Sequence, residues 1–271
     1  MIRICLIFNI IFYTNVFAGI PPKQFKSYEF NYSLKSLGLD KNDTHEQIRA
    51  KIEKKLDFLV FKNKVFLHKI LFLDSINRSL KKQHLILGLR VDLNRPKRSL
   101  ITLKARSSNP AQLEQFQLDK FEKNKFEIDV NGVKKSYSAS HSFTFTLGKD
   151  IHPKKLDSPK DILKLIKKKS PYLRTILDSR LSQDLFSKPP ITQRKKFIAY
   201  FDSRELDIEI WIFGKDVAPL AAVSFKGDAT ELPALRKTYK KLKVELEKRL
   251  ILSPKSISKT EAYFNYWSRH E

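Results

Sequence analysis

Arg90 in LGLRVD, Lys104 and Arg106 in LITLKARS, Arg194 and Lys196 in TQRKKF, and Lys226 in AVSFKGD are cations set inside short apolar runs. A charge in such a setting is costly unless a partner meets it. Carboxylates recur in the same kind of segment: Glu127 and Asp129 in KFEIDV, and Glu205, Asp207 and Glu209 in ELDIEIWIF. Clustered Arg and Lys suit phosphate, whose oxygens accept several charge-assisted hydrogen bonds and match the paired donors of Arg. Clustered carboxylates suit hard divalent ions, whose bound waters can be oriented or made to attack.

Strands must position these groups, and successive strand side chains point to opposite faces. Thr102, Lys104 and Arg106 then share one face, and Ile101, Leu103 and Ala105 the other. The same alternation sets Arg90 and Asp92 against Leu89 and Val91, Glu127 and Asp129 against Ile128 and Val130, and Ser224 and Lys226 against Val223 and Phe225. An open sheet with one wet face would give this pattern. A sheet curled shut would give it too, with the charged face turned inward.

The helices favour closure. Thr44 and Gln47 have capping-box spacing ahead of residues 44–62, where Ile48, Ile52, Leu56 and Leu59 share a face. Ser158, Pro159 and Asp161 open a second helix carrying Ile162, Leu165 and Ile166, and Leu235, Tyr239, Leu242 and Leu246 line residues 230–250. A last helix opens at Ser258, its aromatics Tyr263, Phe264, Tyr266 and Trp267 reading as core cover. Amphipathic helices need an apolar strand face beneath them. The expectation is an α+β fold of about eight antiparallel strands in a closed or nearly closed barrel, with helices packed outside and a polar lumen.

The chain has 271 residues, 53 Lys plus Arg against 29 Asp plus Glu, and a formal charge of +24, which draws anions to its surface. Residues 1–18 read as a removed secretory signal, with Arg3 before an apolar stretch and Val16-Phe17-Ala18 before Gly19. That leaves one domain over 19–271, exported to the periplasm or cell envelope or secreted. Cys5 is the sole cysteine and lies in the leader, so a disulfide scaffold, a thiol nucleophile and a zinc-thiolate site are all excluded from the mature chain. HExxH, GxSxG, GxGxxG and P-loop motifs are absent.

The order of segments resembles the CYTH superfamily of triphosphate tunnel proteins, which includes class IV adenylate cyclases and thiamine triphosphatases. ILFLDSINRSLKKQHLILGLRVD is similar to the stretch leading into an LRxR strand, and RSLITLKAR to the lysine strand that follows. TLKARSSNP, KFEIDV, AVSFKGD and PKSISKTEAYF resemble an uncharacterised bacterial branch of that superfamily. The resemblance implies a tunnel whose inward Lys and Arg hold a polyphosphate chain, with Mg²⁺ or Mn²⁺ on inward acids. It points to Lys104, Arg106, Arg90, Lys226, Arg194, Lys196 and Lys35 as anion ligands and to Glu127, Asp129, Glu29 and Glu209 as metal ligands.

The chain departs from the pattern where catalysis matters. In EFNYSLK, residues 29–35, Asn31 and Ser33 replace an acid and a lysine; Asp92 replaces the second Arg of LRxR; Ala222 and Ser224 replace a late acidic pair. The sequence therefore leaves open a metal-dependent phosphoanhydride hydrolase and a non-catalytic binder of a phosphorylated small ligand. A third reading is an envelope protein whose basic outer surface binds nucleic acid, lipopolysaccharide or anionic membrane.

Overall fold

The computed structural model describes residues 25–35, 37–113, 124–132, 134–180, 190–214, 217–254 and 257–269. The expected leader, residues 1–18 with Cys5, lies outside them. Among the described residues nine strands carry the fold: β1 (Ser27–Leu34), β2 (Val60–Leu73), β3 (Leu85–Asp92), β4 (Ser99–Ser107), β5 (Asn124–Asn131), β6 (Lys134–Phe145), β7 (Thr192–Phe201), β8 (Arg204–Ile212) and β9 (Leu220–Asp228). They are hydrogen-bonded in the order β1-β5-β6-β4-β3-β2-β7-β8-β9, and β9 pairs back with β1, so the sheet closes into a ring.

The eight-strand expectation is one short. The added strand is β1, which closes the ring by pairing antiparallel with β9 and parallel with β5, the parallel pair in an otherwise antiparallel sheet. Two strands also begin earlier than their apolar runs suggest. β2 starts at Val60, through the polar Lys62-Asn63-Lys64 and a register shift between Phe61 and Val65. β6 starts at Lys134 because Ser136, Ser138 and Ser140 alternate with Tyr137 and Ala139, a small-residue face with little hydrophobic signal.

Six helices accompany the ring among the described residues. α1 (His45–Lys55) has the expected capping box, Thr44 Oγ1 accepting from Gln47 N and Gln47 Oε1 accepting from Thr44 N. It ends before the predicted 62: Leu56 leaves helical geometry, and Val60 and Phe61 are taken up by pairing with β7. α2 (Ser79–Lys82) is a single turn, and α3 (Pro159–Lys169), α4 (Pro171–Arg180), α5 (Leu232–Lys248) and α6 (Lys259–Trp267) complete the set. None of the helices is long and apolar enough to cross a membrane.

α1, α3 and α5 cover the outward apolar faces of the strands. Leu87, Leu89, Ile101 and Leu103 pack in one cluster with Ile162, Leu165 and Ile166 of α3. Phe30, Ile208, Ile210, Val223 and Phe225 pack with Ile48 and Ile52 of α1 and Leu235, Leu242 and Leu246 of α5. α6 instead packs against lumen-side residues: Ile70, the cross-strand partner of Arg90, and Trp211, which lines the interior beside Glu209, join Phe213 against Tyr263, Phe264 and Trp267, so those aromatics are core cover as expected. Each fully buried Leu, Ile or Phe contributes about 1.5–3 kcal/mol. Gly227 lets α5 approach, since a Cβ there would lie 2.7 Å from Leu235 Cδ2.

Candidate anion-binding site

With the apolar faces spent on the helices, the alternate residues of the strands turn into the ring. Lys104 and Arg106 of β4 reach across β6 to the same Asp129 Oδ2 of β5, at 3.4 and 2.9 Å. They can do so because Ser138 and Ser140 of β6, paired with Arg106 and Lys104, are too short to block the way. Lys226 of β9 stands opposite Glu29 of β1, with its Nζ 2.8 Å from Glu29 Oε2 and 2.9 Å from Glu127 Oε1 of β5. Lys125 Nζ holds Glu127 Oε1 from the other side at 2.6 Å.

A second knot forms around Glu209 of β8. Arg194 of β7 donates to Glu209 Oε1 at 3.1 Å, while Lys259 Nζ and Trp211 Nε1 meet Oε2 at 2.8 and 3.0 Å. Lys196 pairs with Asp207 at 2.8 Å. Lys259 comes from the first turn of α6, which Ser258 caps by accepting from Glu261 N. Tyr263 fixes that helix, accepting from Phe72 N and donating to Pro190 O.

These side chains line one cavity of about 280 Å³, near the low end of small-ligand pockets, roughly 300–1,000 Å³. Its wall holds seven cations, Arg90, Lys104, Arg106, Arg194, Lys196, Lys226 and Lys259, against four carboxylates, Glu29, Asp129, Asp207 and Glu209. Arg90, Arg194 and Lys196 also line a second cavity of about 520 Å³ with Arg95, Arg98 and His68, so the positive wall continues along the ring.

Arg90 differs from the other six in its partners: its Nε is buried without a hydrogen-bond partner, as are those of Arg106 and Arg194, but among the described residues no carboxylate forms an ion pair with it, whereas Arg106 pairs with Asp129 and Arg194 with Glu209. Burial, aided by the Arg194 charge, lowers the pKa of its guanidinium. The carboxylates show the opposite balance. Burial would raise Asp129, but Lys104 and Arg106 outweigh it and bring it down to about 2. Glu209 is likewise held well below the usual range, burial being overcome by Lys259 and Arg194. Lys226 is pushed up despite its burial by Glu29 and Glu127.

His68, opposite Arg194 on β2, is pushed down to about 3 by burial and by the Arg194 and Arg90 charges. The folded ring thus keeps His68 neutral at pH values where an unfolded histidine, near 6.5, binds a proton. The unfolded state takes up more protons between those values, so stability falls as pH drops below about 6.5. Urea unfolding at pH 7.5, 6 and 5 should show this loss approaching ~1.4 kcal/mol per pH unit. His68→Asn should flatten it by about that slope, and an unchanged slope would contradict the reading.

The sequence expectations can now be placed. Arg90, Lys104, Arg106, Arg194, Lys196 and Lys226 converge on the cavity, as do Glu29, Asp129 and Glu209; Glu127 lies behind Lys226. Lys35 does not join them: β1 ends at Leu34, Lys35 N donates to Ile251 O, and its side chain is exposed. Lys259, Trp211 and His68 were not foreseen. Lys259 lies at a helix start, where strand alternation does not apply, and only its place in PKSISKTEAYF hinted at it. Asp92 does not replace an anion ligand; it is buried and pins the β3–β4 turn, accepting from Asn94 N, Arg95 N and the Arg95 guanidinium.

The donor set does not fit a divalent ion. Glu29, Glu127, Asp129, Asp207 and Glu209 are each held by ammonium or guanidinium groups, and the described residues contain no cluster of three metal-ligating side chains.

No protein-family model matches the sequence, and no curated protein matches it. Two solved structures share its course. One is an adenylyl cyclase-like protein from Hippeastrum, described as having a dominant triphosphatase activity. It has 13% identity and a TM-score of 0.55 over 89% of this chain and 96% of that one. The other is an adenylate cyclase-like protein from Bacillus halodurans, with 12% identity and a TM-score of 0.50 over 89% and 98%. The fold is that of these adenylyl cyclase-like proteins. At such identities the likeness concerns the path of the chain, and the lumen of this ring has to be read from its own side chains.

Proposed function

We propose that the chain binds a phosphate-rich anion, of triphosphate or polyphosphate type, inside the ring. The observation behind this is the wall of seven cations against four carboxylates, with Arg90 half-buried and without a carboxylate partner among the described residues. Phosphate oxygens would supply the missing acceptors, and the guanidinium groups of Arg90, Arg106 and Arg194 offer paired donors. Residues 1–18 make the periplasm or cell envelope the expected place for this binding.

Hydrolysis is the second reading, favoured by the triphosphatase description of the Hippeastrum protein. A general base works best with a pKa near the operating pH, whereas neighbouring cations hold Asp129 and Glu209 below the ordinary carboxylate range. Binding without turnover is therefore the reading adopted. Sodium tripolyphosphate should raise the thermal midpoint of the protein at 150 mM NaCl, since a ligand that prefers the folded state stabilises it. Lys104→Met and Arg106→Met, each leaving Asp129 one cation, should weaken that gain at least tenfold in apparent affinity. Phosphate release sensitive to Asp129→Asn would establish the hydrolase instead. Affinity that falls steeply with salt and ignores both lumen substitutions would point to the basic outer surface.

A further inference from the structure

Lys226 bridges two carboxylates that would otherwise share a cation. Its ammonium lies between carboxylates of two neighbouring strands, 2.8 Å from Glu29 and 2.9 Å from Glu127. The sheet itself delivers it there, because Lys226 is in register with Glu29 across the β1–β9 ladder. Lys125 adds a second positive charge on Glu127 at 2.6 Å. The two ammonium groups together match the charge of one divalent ion. Asp129, in register with Glu29 on β5, is separately held by Lys104 and Arg106. A hard divalent ion binds oxygens at about 2.0–2.6 Å, so small side-chain shifts would let one replace the nitrogen if Lys226 were gone.

We propose that Lys226 is a built-in counter-ion, carried by the chain at the position of a divalent metal, so that the lumen takes up its anion without metal. This rests on the anion-binding reading above, but it has consequences of its own. The protein becomes indifferent to Mg²⁺ and Mn²⁺, and a latent metal site sits beneath one lysine.

The test uses Mn²⁺ alone, with the full chain and no phosphate, read by the electron paramagnetic resonance signal of the free ion. Wild-type protein should leave that signal unchanged on addition of one equivalent of Mn²⁺. Lys226→Met should bind one Mn²⁺ per chain at least tenfold more tightly, and adding Glu127→Gln should abolish the gain. Lys226→Arg, which keeps the charge, should remain blind to Mn²⁺. Stoichiometric Mn²⁺ binding by wild type that is lost in Glu127→Gln would overturn the proposal, and so would a folded Lys226→Met that gains nothing. The wild-type measurement decides even if Lys226→Met does not fold. Tripolyphosphate melts in EDTA separate the two claims. Stabilisation only with added Mg²⁺ defeats the counter-ion and leaves the lumen reading intact, whereas stabilisation under neither condition defeats the lumen reading.

Discussion

Asp129→Asn should lower the stability of the ligand-free protein by about 3–5 kcal/mol, the usual cost of removing one partner from a buried ion pair. Asp129 is 7% exposed and is the acceptor for both Lys104 and Arg106. An amide oxygen in its place satisfies a donor but not two charges. The same substitution should tighten tripolyphosphate binding, because it leaves those two cations to the anion. Urea unfolding with and without 1 mM tripolyphosphate would show both effects, with the ligand restoring more stability to the variant than it adds to wild type. A variant as stable as wild type would mean that these charges are paired by water and not by one another. Acid should act like the substitution. The folded pKa of Asp129, about 2, lies below the ordinary value of 3.8, so its contribution is complete above about pH 4 and is lost as pH falls through about 2.

Arg90→Met should do the opposite to stability and more harm to binding. Burying a charge without a partner is costly, and Arg90 combines a partnerless Nε with the nearby Arg194 charge. An apolar side chain of similar length removes that cost, so the ligand-free variant should melt at a higher temperature than wild type. Hydrogen bonds to charged groups are worth roughly 1.5–3 kcal/mol, so tripolyphosphate affinity should fall about tenfold to a hundredfold. Calorimetric titration beside thermal melts measures both. A residue that destabilises the empty protein and strengthens the filled one is serving the ligand. A variant both less stable and equally avid would instead make Arg90 structural.

The sequence disclosed which side chains turn inward, and less about whom they meet. Period-two alternation was enough for Lys104, Arg106 and Lys226, because an outward apolar face covered by helices leaves only the lumen for the other face. The same counting from Glu29 through Asn31 and Ser33 would carry Lys35 inward, but the chain leaves the sheet after Leu34. Pairing was not legible. Lys104 meets Asp129 across an intervening strand, which depends on the register of three strands and on the small serines of β6. β1 and the first half of β6 carry polar residues on the lumen face, so they look like loops until closure gives that face a purpose. Lys259 reaches Glu209 from a helix held by aromatic packing, a contact 50 residues apart in sequence. Its role follows from tertiary docking alone.

The location of tripolyphosphate in co-crystals tests the central claim most directly. The account predicts density inside the ring, its oxygens within hydrogen-bond distance of Arg90, Lys104 and Arg106, and no such density in Arg90→Met at the same concentration. Anion density on the outer helices alone, with the lumen side chains undisturbed, would contradict it.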